Sequence, residues 1–161
     1  MKSDKGFLIL MGPPGVGKTY FCAALIEWIS KKYNTFRYWH ERDFFTRIRN
    51  VIKNNAGDYS SEVAHILDDE FIMYDDLGCC GFNEWRKEIV LAMVDIRYES
   101  GYPTVITTNM NKNAIYENLG QRTYSRIFDK ENCIIDMTGM PDKRGANLPE
   151  RRERDKEGRL I

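Results

Sequence analysis

Gly12-Pro13-Pro14-Gly15-Val16-Gly17-Lys18-Thr19 fits the pattern G-x-x-x-x-G-K-[ST]. The apolar run Phe7-Leu8-Ile9-Leu10-Met11 lies directly before it, where the strand feeding such a loop must be. Glycines let backbone N–H groups turn inward around phosphate oxygens, and a helix starting near Lys18 adds the positive end of its dipole. Lys18 is then expected at the β/γ-phosphates, Thr19 at a Mg²⁺ ion, and Tyr20 at the end of the binding stretch. Because strand, loop and helix follow in the required order, this reading is favoured over a turn that is only structural. ATP with Mg²⁺ is the expected cofactor pair.

Phe71-Ile72-Met73-Tyr74-Asp75-Asp76 is an apolar strand tipped with two acids, the Walker B arrangement that delivers a carboxylate to the metal. Asp75 is assigned the metal contact, through water, and Asp76 the task of polarising the attacking water. The bland alternative is an Asp pair that merely closes a strand. Thr104-Val105-Ile106-Thr107-Thr108-Asn109 is a third strand with a polar end, and ligands in parallel α/β sheets bind at that edge. Asn109 is expected to contact the γ-phosphate or the lytic water. Taken alone it reads as a cap for the helix that follows.

In combination these segments resemble a known family. The phosphate loop, Asp75-Asp76-Leu77-Gly78, Ile96-Arg97-Tyr98 followed by Pro103 to Asn109, Leu119-Gly120-Gln121-Arg122 and Ser125-Arg126-Ile127 look like the AAA+ domain of bacterial and phage replicative helicase loaders of the DnaC type. The likeness runs from about Gly6 to Arg144, and IstB-type transposase-helper ATPases share parts of it. It implies an α/β P-loop NTPase of AAA+ type with a five-stranded parallel sheet in the order 5-1-4-3-2; the family's small helical lid reads as absent or vestigial here, because the stretch after Arg144 has almost no apolar periodicity. It also implies ATP hydrolysis at subunit interfaces and action in DNA replication. The implied partners are a replicative helicase, single-stranded DNA, and further subunits joined through the ATP site. The alternative function is a nucleotide-bound module that engages a helicase, loader or transposase with little ATPase activity.

Within that resemblance Arg126 falls where the family carries an arginine finger acting in trans. Arg144, in Gly139-Met140-Pro141-Asp142-Lys143-Arg144, falls at a sensor 2 arginine. A planar cationic fork suits charge spreading over γ-phosphoryl oxygens. Arg122, one turn before Arg126 on the same face, reads either as a phosphate or interface arginine or as a solvated surface residue, and Arg97 is open in the same way. Two departures stand out. Asp76 occupies a position where many AAA+ proteins have Glu, one methylene longer, which implies slow hydrolysis. The phosphate loop begins at Gly12, ahead of which loaders carry their helicase-gripping domain, so the expectation is an excised ATPase domain or a minimal member.

The elements needed to position these groups alternate strand and helix, as in a parallel α/β sheet. Helices are expected over 18–32 (Phe21, Leu25 and Trp28/Ile29 inward), 41–54 (Phe44, Phe45, Ile48, Ile52), 60–68 and 84–100 (Trp85, Ile89, Ala92, Met93, Ile96). Asn54-Asn55-Ala56-Gly57 and Gly101-Tyr102-Pro103 act as stops, and further strands cover 35–40 and 133–137. A length of 161 residues with 42% hydrophobic content suits one core, assigned to 1–144. Residues 145–161 read as a polar, fraying tail.

No run approaches about 18 apolar residues, so a soluble, cytoplasmic protein without membrane contact is expected. Formal net charge is zero, which argues against a strong autonomous nucleic-acid binder. The run from Arg37 to Arg47 interleaves aromatics with cations, yet helix periodicity already places Phe44 and Phe45 in the core. The four cysteines lack zinc-ligand spacing and read as reduced thiols, two of them in the core. His40 and His65 look isolated.

Overall fold

The computed structural model describes residues 6–54 and 59–144. The tail at 145–161, whose sequence offers no lid, and the helix stop at Asn55-Ala56-Gly57 lie outside the described residues. The chain runs β1 (Phe7–Met11), α1 (Lys18–Lys32), β2 (Phe36–His40), α2 (Glu41–Asn54), α3 (Tyr59–Ile66), β3 (Phe71–Leu77), α4 (Glu84–Ser100), β4 (Thr104–Thr108), α5 (Lys112–Ile127) and β5 (Cys133–Asp136). The five strands pair in parallel in the order β2-β3-β4-β1-β5. This is the expected 5-1-4-3-2 order counted from the other edge.

Strand alternation divides the apolar residues between two layers. Ile9, Ile72, Tyr74 and Ile106 pack toward residues of α2 to α5, including Phe44, Ile48, Val90, Met93 and Ile115. Leu10, Phe71, Met73 and Val105 pack on the other side against Cys22 and Ile29 of α1. All of β4 is buried, as a central parallel strand requires. The side chain of Asn83 caps α4 by accepting from Arg86 N, and Gly101 at φ 67° ends it. Gly120, at φ 78° and ψ 172°, kinks α5.

Three expectations are corrected here. Trp28 is 52% exposed rather than inward; its ring edges Tyr33 and lies under the Lys32 ammonium. Only Cys22 of the four thiols is buried. Arg97 is neither a phosphate ligand nor a surface residue but is fully buried. Its guanidinium donates to Thr104 Oγ1 (2.8 Å) and to the carbonyls of Leu67 (2.8 Å), Asp69 (2.6 Å) and Pro103 (3.0 Å). Burial pulls its pKa down to about 10 against the nearby Asp69, so it stays charged at neutral pH. The buried face of α4 therefore turns through Val90, Met93, Val94 and Arg97.

Arg97→Ala takes the guanidinium donors from the Leu67 and Asp69 carbonyls, while Pro103 O keeps the Ile72 amide and Thr104 Oγ1 still donates to Tyr102 O. It is expected to lower unfolding free energy by at least about 2 kcal/mol, read from the urea midpoint, whereas Arg122→Ala on the surface should change it by under about 0.5 kcal/mol.

Candidate nucleotide-binding site

β1 ends at Met11 and the chain turns back through Gly12, Gly15 and Gly17, all at positive φ (150°, 88° and 103°), before α1 starts at Lys18. Such backbone angles suit glycine and strain other residues. This loop and the first turn of α1 border a cleft of about 500 Å³, whose walls include Lys18, Thr19, Tyr20, Asp76, Asn109 and Arg144. A larger apolar cleft of about 710 Å³ opens at the opposite sheet edge beside Trp28, Tyr33 and Phe71. Size points there, but the convergent polar groups are in the smaller one.

Lys18 is almost wholly buried. Its ammonium donates to Gly12 O (2.7 Å), Pro13 O (2.9 Å) and Asn109 Oδ1 (2.7 Å). Burial lowers its pKa, while Asp76 and Asp75 oppose that shift and Arg144 adds to it. The amide nitrogen of Asn109 in turn donates to Asp76 Oδ1 at 2.8 Å. Lysine, amide and carboxylate from the ends of β1, β4 and β3 thus form one chain of hydrogen bonds. Asn109 is not the helix cap; Asn111 holds that place, accepting from Ala114 N.

The two adjacent aspartates diverge because β3 slips register against β4 between Tyr74 and Leu77 and Asp76 takes a left-handed φ of 66°. Such bulges re-aim side chains. Asp75 points inward, 2% exposed. It accepts from Thr107 Oγ1 (2.5 Å), Tyr38 OH (2.5 Å) and Thr19 Oγ1 (3.2 Å to Oδ2). Thr107 Oγ1 also accepts from Asp76 N at 2.8 Å, pinning the bulge. Burial and the Asp75 hydrogen bond drive the Tyr38 phenol above its usual pKa, so it remains a donor. Two oxygens bound side by side on Mg²⁺ stand about 2.9 Å apart, given bonds of 2.0–2.1 Å. The Thr19–Asp75 pair at 3.2 Å fits that spacing with little movement.

Other assigned residues lie at the rim or away from it. Tyr20 is 81% exposed at the mouth. Lys143 N donates to Gly15 O at 2.9 Å, which holds the segment leading to Arg144 against the phosphate loop. Arg126 is not among the residues lining this cleft. It pairs with Asp95 and with Glu99 (3.3 Å) and stacks on Tyr98. Arg122 joins Asp95 at 2.7 Å, confirming that the two arginines share a face.

Sequence reasoning missed Tyr38, Thr107 and Glu41. Glu41 is fully buried and accepts from Gly78 N and Cys80 N (2.8 and 2.9 Å), bracing the turn after β3. No local pattern marks these residues, since their roles come from strand pairing. His40 is not isolated: its Nε2 stands 3.9 Å from Asp76 Oδ2. Phe44 and Phe45 are buried as expected.

Thr107→Val removes the hydroxyl that links both aspartates while keeping side-chain volume. It is expected to destabilise the fold by about 1–3 kcal/mol in chemical denaturation, with Thr107→Ser recovering most of the loss.

The family described as "IstB-like ATP binding protein" matches residues 2–128. The replicative helicase loader DnaC of Escherichia coli K12 is 23% identical over 119 residues, 74% of this chain and 49% of that protein. The replicative helicase loader DnaI of Bacillus subtilis 168 is 23% identical over 125 residues, 77% of this chain and 39% of that one. The chain thus spans about half or less of the length of these relatives. Among solved structures, the DnaC helicase loader superposes with a TM-score of 0.70 at 23% identity, covering 83% of this chain and 80% of that one. AMPPCP-bound DnaA from Aquifex aeolicus gives 0.71 at 15% identity, covering 89% and 44%. These likenesses show the AAA+ P-loop fold. No helix among the described residues is long and apolar enough to cross a membrane.

Proposed function

The chain belongs to the family of IstB-like ATP-binding proteins, and from that premise we propose that its residues 1–144 form an ATPase domain of a helicase loader or loader-like factor. The observation that carries the reading is the Lys18–Asn109–Asp76 chain, which ties the phosphate loop to the strand acid through the sensor position. In this reading Lys18 leaves its loop carbonyls for the β/γ-phosphates, and Thr19 and Asp75 hold Mg²⁺. The ion, when bound, neutralises charge on the phosphate oxygens. Asp76 orients the attacking water, and Asn109 senses the γ-phosphate that Lys18 meets. Arg144 adds positive charge from the wall. The likeness to DnaC and DnaI over the matched region supports action on a replicative helicase in the cytoplasm. Zero net charge argues against a strong grip on single-stranded DNA by one subunit, and weak contacts from several subunits add up.

One observation favours the alternative of a nucleotide-bound module with little turnover of its own. Arg126 is held by Asp95 and Glu99 of its own chain, so a trans-acting finger must first be released. Assembly with a neighbour is the step that can release it.

Lys18→Ala is expected to abolish measurable ATP binding in calorimetry, because the loop amides alone then face the phosphate charge. Asp76→Asn should spare binding but slow turnover, and Asp75→Asn should also weaken Mg²⁺-dependent binding. Equal affinity of the Lys18 variant and the parent would remove the phosphate-loop assignment.

A finger supplied in trans raises turnover by roughly 10³-fold or more. Specific activity is therefore expected to rise with protein concentration, or on adding helicase or single-stranded DNA. Mixing Arg126→Ala with Asp76→Asn protein should restore part of it, because each supplies what the other lacks. Associated subunits with flat specific activity and no rescue would leave the binding-module reading.

A further inference from the structure

We propose that His40, Asp76 and Cys79, with Cys80 beside them, form a binding site for a thiophilic divalent cation of the zinc class at the rim of the nucleotide cleft. One ring nitrogen, one carboxylate oxygen and one thiol sulfur from the first three lie within 4.8 Å of one another. The sulfurs of Cys79 and Cys80 are 3.8 Å apart. With Zn–S near 2.3 Å and Zn–N or Zn–O near 2.0–2.2 Å, donors around a tetrahedral zinc stand about 3.3–3.8 Å from each other. The two sulfurs already meet that spacing, and His40 Nε2 to Asp76 Oδ2 at 3.9 Å closes by a small rotation of side chains that are only partly buried.

The backbone that carries the donors is braced. Left-handed residues at Asp76, Gly78 and Gly81 fold the turn, with Cys79 N bonded to Asp76 O and Gly81 N to Gly78 O. The buried Glu41 carboxylate takes the amides of Gly78 and Cys80, and Arg86 Nη1 donates to the carbonyls of Cys80 and Gly81. Glu41 is thereby occupied as a support, so the donor set is imidazole, carboxylate and thiolate. That set suits zinc and disfavours Mg²⁺, which takes oxygen ligands. The Mg²⁺ position between Thr19 and Asp75 is a separate site.

Burial, then Glu41, Cys80 and Asp76, push the Cys79 thiol up to about 12, so the thiol is protonated at neutral pH and a cation must displace that proton to bind. Binding releases that proton to solvent as the metal–sulfur bond forms. His40 Nδ1 accepts from Arg42 N at 3.3 Å. Coordination through Nε2 moves the ring proton to Nδ1 and gives up that long bond. Occupancy engages Asp76 through Oδ2 while Oδ1 keeps its 2.8 Å bond from Asn109, which takes the carboxylate away from the attacking water. Only this consequence rests on the nucleotide reading; the binding itself does not.

The test is titration of the full chain with Co²⁺, a spectroscopic stand-in for zinc, under a phosphine reductant and without nucleotide. The expected result is a saturable thiolate-to-cobalt charge-transfer band at one ion per chain, bleached by Zn²⁺. Cys79→Ser should abolish it, His40→Gln should weaken binding about tenfold or more, and Cys133→Ser should leave it unchanged. Thermal melts of each variant report folding, and His40→Gln, which keeps both thiols, carries the comparison if Cys79→Ser does not fold. The proposal is overturned by no band in the parent, by binding only at millimolar metal, by a band that survives Cys79→Ser, or by equal affinity in folded His40→Gln. The assay contains no ATP, so it fails or succeeds independently of the hydrolysis experiments.

Discussion

A carboxylate buried at the C-terminal edge of a parallel sheet is costly unless donors surround it, and Asp75 is buried there. Its three hydroxyl partners come from three elements: Tyr38 from β2, Thr19 from the first turn of α1, and Thr107 from β4. Meeting that demand aligns the ends of β2, β3 and β4 and anchors the helix that follows the phosphate loop. In low-dielectric surroundings such bonds strengthen, and a missing one is correspondingly damaging. The bulge that turns Asp76 toward the cleft is held by the same Thr107 hydroxyl. Position and orientation of both acids therefore follow from one local network.

The other edge of the sheet faces the same problem with opposite sign. Arg97 sits where α4 returns to β4, and its donors collect carbonyls from the segment before β3 and from Pro103. A guanidinium fork satisfies several acceptors at once, which a lysine cannot do from one point. Neighbouring turns of α4 supply Asp95 and Glu99 to Arg126 of α5. The helix that closes the sheet edge thus also governs how the arginine on α5 is presented. Arg97 stabilises the interior, whereas the Arg126 side chain, 17% exposed, is held between α4 and α5 by its acidic partners.

Much of this was legible from pattern. The spans Lys18–Lys32, Glu41–Asn54 and Glu84–Ser100 end where the apolar periodicity and the Gly101-Tyr102-Pro103 stop place them. The phosphate loop, the acid pair and the polar end of β4 come together as their order along the chain implies, although the strand order came from resemblance. On α4, Ile89 and Met93 are buried and Trp85 and Ile96 pack against the core as expected, but Arg97 lies inside the buried stripe, and a cation there reads as a boundary until its carbonyl partners are known. Trp28 lies outward because, among the described residues, α1 alone packs on that side of the sheet, leaving its apolar stripe wider than the surface that buries it. Tyr38 and Thr107 act on a residue more than 30 positions away, and only register brings them there. His40 reaches Asp76 for the same reason, since β2 pairs His40 with Asp75.

The same register accounts for a selectivity built into the cleft. Lys18 is already satisfied by two carbonyls of its own loop and by Asn109, so a ligand must offer more than neutral acceptors to draw it away. Phosphate oxygens do, because they carry a charge opposite to the ammonium, and that attraction is strong in a largely buried site. On the proposed reading, phosphate binding frees the Asn109 carbonyl, while the same amide group still donates to Asp76. The planar amide then has one end released and one end held. Rotation about that held end couples the arrival of phosphate to the orientation of the acid, with no movement of the sheet.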